Sequence, residues 1–197
     1  METQLLSKLE QYVVTLLRGN LPKNMFYHNI GHTRNVVAGC AELAAAMTLS
    51  EKETKIILVA AWLHDTGYVS GYRDHERYSI ILASGLLQRM ALTGEEIKDV
   101  CTCIEATRMP QSPQSELEEI LCDADMRHLS LPGYIDDLKL LRLEWHAMLG
   151  MSFSDSEWYE VNRKFLKEHT YFTDHARQVW EMGKRKNVGK LDQLLSL

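Results

Sequence analysis

KIILVAAWLHDTGY, residues 55–68, joins an unbroken apolar run, Ile56 to Leu63, to two ionisable side chains, His64 and Asp65. Such a run reads as a buried helix, and Gly67 is the residue type on which helices stop. A charged group delivered at the end of a buried helix needs a partner or an ion to offset its desolvation. Two other segments offer matching groups. YHNIGHT, residues 27–33, holds His28 and His32, four apart and so expected on one face of a helix, and LCDADM, residues 121–126, holds Asp125. In chain order His32, then His64-Asp65, then Asp125 make a ligand set for one divalent metal. Neutral imidazole and ionised carboxylate suit manganese, iron and zinc, and two of each leave positions open for water on an ion that prefers five or six neighbours. Open positions on such an ion point to hydrolysis. Singly these residues have plainer readings: a His-Asp pair is common by chance, and Asp125 could cap a helix.

The ordered set resembles the HD-domain metal-dependent phosphohydrolase superfamily, over roughly residues 25–130 by motif. RLEW at 142–145 and NRKFLKEHTYFTDHA at 162–176 look like the C-terminal helices of its small bacterial members. The resemblance implies an all-α, compact, single-domain HD-type helical bundle over 1–197, with a metal-site core at about 25–130 and C-terminal helices over 133–195. It also implies a phosphohydrolase of a small phosphorylated molecule, a nucleotide monoester or phosphodiester, with Asp65 orienting the attacking water while binding metal. Tyr27-His28-Asn29 followed by His32 is similar to the opening motif of cyclic nucleotide phosphodiesterases, which casts His28 as general acid. The plainer reading of His28 is an imidazole hydrogen-bonded to a neighbouring carboxylate. A rival function is a non-catalytic nucleotide-sensing or regulatory HD module.

Departures narrow the substrate. Thr66-Gly67-Tyr68-Val69 stands where the guanosine tetraphosphate hydrolases carry a Glu-Asp pair, and Tyr68 where the 5′-nucleotidase branch carries a Glu. Two-metal members add histidines between doublet and distal Asp; here His75 in GYRDHERYS is the first candidate, but CIEATRMP offers Glu105 and Thr107 in place of the next. One tight metal is therefore expected. His75 and Glu76 belong either to a second-metal or substrate site or to the first turn of a helix, where Glu76 would favour its positive end. Of the nearby cations Arg73, Arg77, Arg108 and Arg127, the last two are carried as phosphate-binding candidates.

The 197 residues suffice for one domain with a sizeable core, and no Gly, Pro or Ser-rich linker divides them. A net charge of −5 and a pI of about 5.9, with no long basic block, argue against polymeric nucleic acid as partner. Cys40, Cys101, Cys103 and Cys122 lie in apolar patterns without zinc spacing and read as reduced thiols of a cytoplasmic protein. The N-terminal stretch reads as neither signal nor transit peptide, and no apolar run approaches a membrane span. Homo-oligomerisation is left open. Apolar positions at three- and four-residue intervals predict helices near 3–18, 29–48, 51–66, 74–91, 94–107, 116–128, 133–149, 155–168 and 173–194, with capping-box spacings at Ser50–Glu53, Thr93–Glu96 and Ser115–Glu118. The turn 67–73 and the loop 108–115 would flank the site.

Overall fold

A computed structural model describes residues 2–196. The chain forms α1 (Glu2–Asn20), α2 (Ile30–Ala46), α3 (Glu51–Leu63), α4 (His75–Arg89), α5 (Gly94–Ala106), α6 (Glu116–Asp125), α7 (Tyr134–Leu149), α8 (Asp155–Glu168) and α9 (Asp174–Leu195). Short 3-10 turns at Thr66–Val69 and Met126–Ser130 follow α3 and α6, and there is no strand among the described residues. The all-α bundle expected from the sequence is what forms.

Helix starts follow local chemistry. Ser50 with Glu53 and Thr93 with Glu96 close full capping boxes at α3 and α5. Ser115 caps α6 in one direction only, because the Glu118 carboxylate is taken by the Gln114 backbone N–H at 2.6 Å. A third closed box, Ser154 with Glu157 at α8, has the same sequence spacing and was not anticipated.

α3 is apolar nearly all round, and seven consecutive-region residues, Ile56, Ile57, Val59, Ala60, Ala61, Trp62 and Leu63, are buried. A helix of that kind belongs in the middle of a fold. Accordingly α1, α2, α5 and α6 pack around it, with α4 against α5. A second, smaller core joins α7, α8 and α9 through Leu129, Tyr134, Leu138, Trp158, Leu166 and Leu191, and the Trp158 indole N–H is satisfied by the Leu138 carbonyl at 3.0 Å. Met126 packs against both cores.

Two carboxylates, one buried and one half-buried, fasten the halves. Asp123 accepts from the backbone N–H groups of Phe172 and Thr173, each at 2.8 Å, and from the Thr173 hydroxyl at 2.7 Å, thereby fixing the start of α9. Glu42 on α2 accepts from Trp180 at 2.7 Å and Arg127 at 2.8 Å. Two glycines permit close approach. A Cβ on Gly67 would lie 1.9 Å from the His75 carbonyl oxygen, and one on Gly183 would lie 2.2 Å from that of Ser130.

Gly67→Ala and Gly183→Ala are therefore expected to cost about 1–3 kcal/mol each, the usual range for overpacking. Gly85→Ala inside α4, where the nearest atom to a new Cβ is the end of the Arg89 side chain at 3.7 Å, is expected to gain about 0.5–1 kcal/mol. Thermal unfolding followed by circular dichroism checks both signs; a Gly67→Ala protein as stable as the parent would show that this approach is not as close as described.

Candidate metal centre and cleft

The doublet stands where α3 ends. Helix continuation expected to residue 66 stops at Leu63 because polar side chains take the carbonyls a further turn would use: His64 Nδ1–H donates to Ala61 O at 2.8 Å and the Thr66 hydroxyl donates to Leu63 O at 2.8 Å. The same happens after Asp125, where His128 Nδ1–H donates to the Asp125 carbonyl at 3.0 Å and the chain tightens into the 3-10 turn. His32 sits one turn into α2. His28 lies before its N-cap, Asn29, so the two rings share no helix face; the turn nonetheless brings their centroids to 5.4 Å.

Ligand atoms of His32, His64 and Asp125 all lie within 4.8 Å of one another. The two Nε2 atoms are 3.4 Å apart, and Asp125 Oδ1 is 3.1 Å from His32 Nε2 and 3.7 Å from His64 Nε2. Asp65 Oδ2 reaches the same two nitrogens at 3.3 Å each, while its Oδ1 is 3.3 Å from His75 Nε2. With Nδ1–H of His64 committed to Ala61 O, Nε2 is the lone-pair atom of the neutral ring and faces the cluster. Asp65 Oδ2 is buried without a hydrogen-bond partner. Lone pairs and carboxylate oxygens converging in this way, out of water, fit a divalent cation.

The electrostatics agree. Burial works against charge on His32, but the adjacent carboxylates of Asp125 and Asp65 outweigh it and raise the imidazole to about 9. His64 is raised well above its ordinary value by the neighbouring Asp65 and Asp125 carboxylates, again against burial. Asp65 and Asp125 are held well below the usual carboxylate range; burial opposes this, and the neighbouring imidazoles prevail.

With His64 buried behind them, His32, Asp65 and Asp125 floor a cleft of about 640 Å³, one wall of which is the smaller core. His75 stacks on Tyr68 with centroids 3.8 Å apart, and its Nδ1 is 3.5 Å from buried Glu76. The helix-start reading of these two residues is also realised, since they open α4. Arg108 and Arg127 do not line the cleft. Arg108 is half exposed and paired with Asp74 at 2.5 Å, and Arg127 is held by Glu42 with its guanidinium 5.5 Å from the Trp180 ring centre. Arg73, by contrast, lines the cleft and has no ion pair among the described residues. The adjacent Asp74 has a left-handed backbone, φ 54°, which the Arg108 pair helps to hold. From the loop 108–115, Met109 alone reaches the cleft lining.

Two residues at the site escaped the sequence reading of individual positions. Glu144 on α7, fully buried, contacts His28 Nδ1 and accepts from the backbone N–H groups of Tyr27 at 2.8 Å and His28 at 3.0 Å, and from the Tyr72 hydroxyl at 3.1 Å. Burial alone would raise this carboxyl; the His28 contact and the two N–H bonds bring it below its ordinary value. His28 is therefore paired with a carboxylate distant in sequence. His128, lowered to about 4 by burial and by the charge of His32, is a neutral ring on the cleft wall.

The HD domain family model matches residues 29–129. A solved structure, that of a predicted HD superfamily hydrolase from an uncultured Thermotogales bacterium, is similar with a TM-score of 0.61 at 22% identity, over 94% of this chain and 91% of that one. No curated protein matches.

Removing Glu144 strands two backbone donors at a buried position, so Glu144→Ala is expected to lose about 2–4 kcal/mol of stability, and Glu144→Gln less. Because the Glu144 carboxyl is lowered in the fold, its contribution is present at neutral pH and is lost as pH falls through that lowered value. The stability gap between parent and Glu144→Gln should close on acidification, as denaturant melts across pH will read; a gap independent of pH would refute the charged contact.

Proposed function

The chain belongs to the HD-domain family, and on that premise we propose that it is a metal-dependent phosphohydrolase acting on a small phosphorylated molecule, a nucleotide monoester or phosphodiester. The observation that carries this is the convergence of His32 Nε2, His64 Nε2 and Asp125 within 4.8 Å at the floor of a cleft of about 640 Å³, a volume suited to a mononucleotide. The whole chain, 1–197, is taken as one domain, since α7 and α8 complete the cleft and α9 packs on α8 behind them.

His32, His64, Asp65 and Asp125 would hold the ion, manganese, iron or zinc by their donor types. Such an ion supplies Lewis acidity toward a phosphoryl oxygen and acidifies water. Asp65 has a second oxygen directed to His75 and so can accept a hydrogen bond from the attacking water. In hydrolysis the water oxygen bonds to phosphorus and the ester P–O bond breaks. The departing oxygen then needs a proton. Because Glu144 occupies Nδ1–H of His28, that proton comes from His28 Nε2, and the buried carboxylate fixes the ring for delivery. Arg73, as the cation lining the cleft, meets the remaining phosphoryl charge. His75 and Glu76, which share Asp65 with the first position, would offer a second ion only a thin shell.

Replacing His32, His64, Asp65 or Asp125 by Ala should lower bound metal and nearly abolish hydrolysis, because an incomplete shell holds the ion poorly. Elemental analysis of chelator-free protein followed by a nucleotide and phosphodiester panel tests it. Full metal occupancy in His64→Ala would sink the assignment, and nucleotide binding without phosphate release would turn the reading to a sensor module.

His28→Ala should keep its metal but slow hydrolysis by about 10²- to 10⁴-fold, with nitrophenyl esters much less affected because their leaving group needs no proton. Equal damage to both ester kinds would make His28 a positioning residue. One ion should bind tightly per chain and survive His75→Ala; two tight ions, one lost with that substitution, would point to a bridged pair.

A further inference from the structure

The position of the acid identifies the end of the cleft that takes the leaving group. His28 is oriented by Glu144, and Glu144 is on α7. From that same helix Leu138, Leu141, Trp145 and Leu149 line the cleft, at spacings that put them along one side of the helix, and Phe165 from α8 joins them. A proton donor held by α7 serves an oxygen whose organic substituent lies along α7. That substituent meets an apolar and aromatic wall.

The wall has one amide, Asn162 of α8, which is buried with 8% of its surface exposed. Its Nδ2 donates to the Trp158 carbonyl at 2.8 Å, and a carbonyl can only accept, so the orientation of the amide is forced. Oδ1 is left as an acceptor that takes no hydrogen bond from the described residues and is not sealed from solvent, so it is open to a ligand. An acceptor fixed in an apolar wall discriminates strongly, because a substrate lacking the matching donor leaves it unpaired.

Resting on the phosphohydrolase reading above, we infer that the α7–α8 wall seats the leaving group, that this group is a flat, uncharged ring with an N–H donor on its edge, and that Asn162 is the residue selecting for that donor. Trp145 and Phe165 supply the aromatic surface for such a ring, while charged or heavily hydroxylated leaving groups would be desolvated there without compensation.

The test uses binding as well as turnover, so that it can fail separately from hydrolysis. Adenosine and purine riboside differ by one amino group; calorimetry and quenching of tryptophan fluorescence with the metal-loaded full chain compare them with ribose. Adenosine should bind about three- to tenfold more tightly than purine riboside, the worth of one hydrogen bond, and ribose most weakly. Asn162→Leu should erase the adenosine preference, and Trp145→Ala should weaken both ring compounds about tenfold, with Trp145→Phe intermediate as the variant safest for the fold. In turnover, phenyl phosphate should be preferred over glycerol phosphate, and Trp145→Ala should reduce that preference through KM. Ring compounds binding no better than ribose would overturn the inference even if phosphate esters are hydrolysed. So would an adenosine preference that survives Asn162→Leu in a protein with an unchanged circular dichroism spectrum. If the rings bind as described but no ester is hydrolysed, the inference about the wall stands and the phosphohydrolase reading falls.

Discussion

Two carboxylates, Asp65 and Asp125, are carried to the end of the most apolar helix and the end of the helix beside it, where little water reaches them. Burying an ion without compensation costs several kcal/mol, so the fold has to bring positive charge to the same place. His32 and His64 do so, the former raised to about 9 as a result. Once that condition is set, other features follow from it. α2 must pack on α6 to bring His32 to Asp125, and the 3-10 turn after α3 must press on α4, which is why Gly67 has no room for a side chain. Stability and chemistry draw on one requirement: two buried carboxylates need positive charge beside them.

Helix termination is how these carboxylates are aimed. At Leu63 and at Asp125 an α-helix gives way to a 3-10 turn, and in each case a histidine three residues after a carbonyl returns its Nδ1–H to that carbonyl: His64 to Ala61 and His128 to Asp125. The bond both ends the helix and fixes a tautomer, leaving Nε2 as the outward atom. The neighbouring Asp123 shows the contrast. Two residues from Asp125, it turns away from the cleft and spends its oxygens on the start of α9.

How much was legible in the sequence follows from distance along the chain. The doublet could be read because its burial is announced by the eight apolar residues before it, and the helices because caps and periodicity are local; Ser50–Glu53 and Thr93–Glu96 formed as their spacing implied. Glu144 could not be read as the partner of His28, because the two are joined by 116 positions of intervening fold and nothing near Glu144 distinguishes it from a solvated helix carboxylate. Arginines were misjudged for a related reason. Sequence proximity to a ligand says nothing about side-chain direction, and a 3-10 turn sends Arg127 to Glu42 and Trp180 while Asp125 faces the cleft. Arg73 reaches the cleft from the turn before α4, next to Asp74, whose left-handed conformation no composition pattern announces.

The C-terminal helices then have a physical reason to exist. The part of the chain matched by the family model, 29–129, contains the whole ligand cluster but neither Glu144 nor the α7–α8 wall. A pocket built from that part alone would have its carboxylate floor but neither His28 nor the carboxylate that orients it. Adding α7 supplies orientation and an apolar surface from one rigid element, so a displacement of α7 would move both together. That displacement is resisted at two points: the Trp158 indole bonded to Leu138 O, and Asn187 of α9 donating to Leu129 O at 2.8 Å and Leu131 O at 2.9 Å just before α7 begins. Buried amide and indole donors with a single geometry each leave α7 little freedom, because giving up any of these bonds strands a buried polar group. The precision demanded of proton delivery at His28 is thus secured by hydrogen bonds on the far side of α7, in the smaller core.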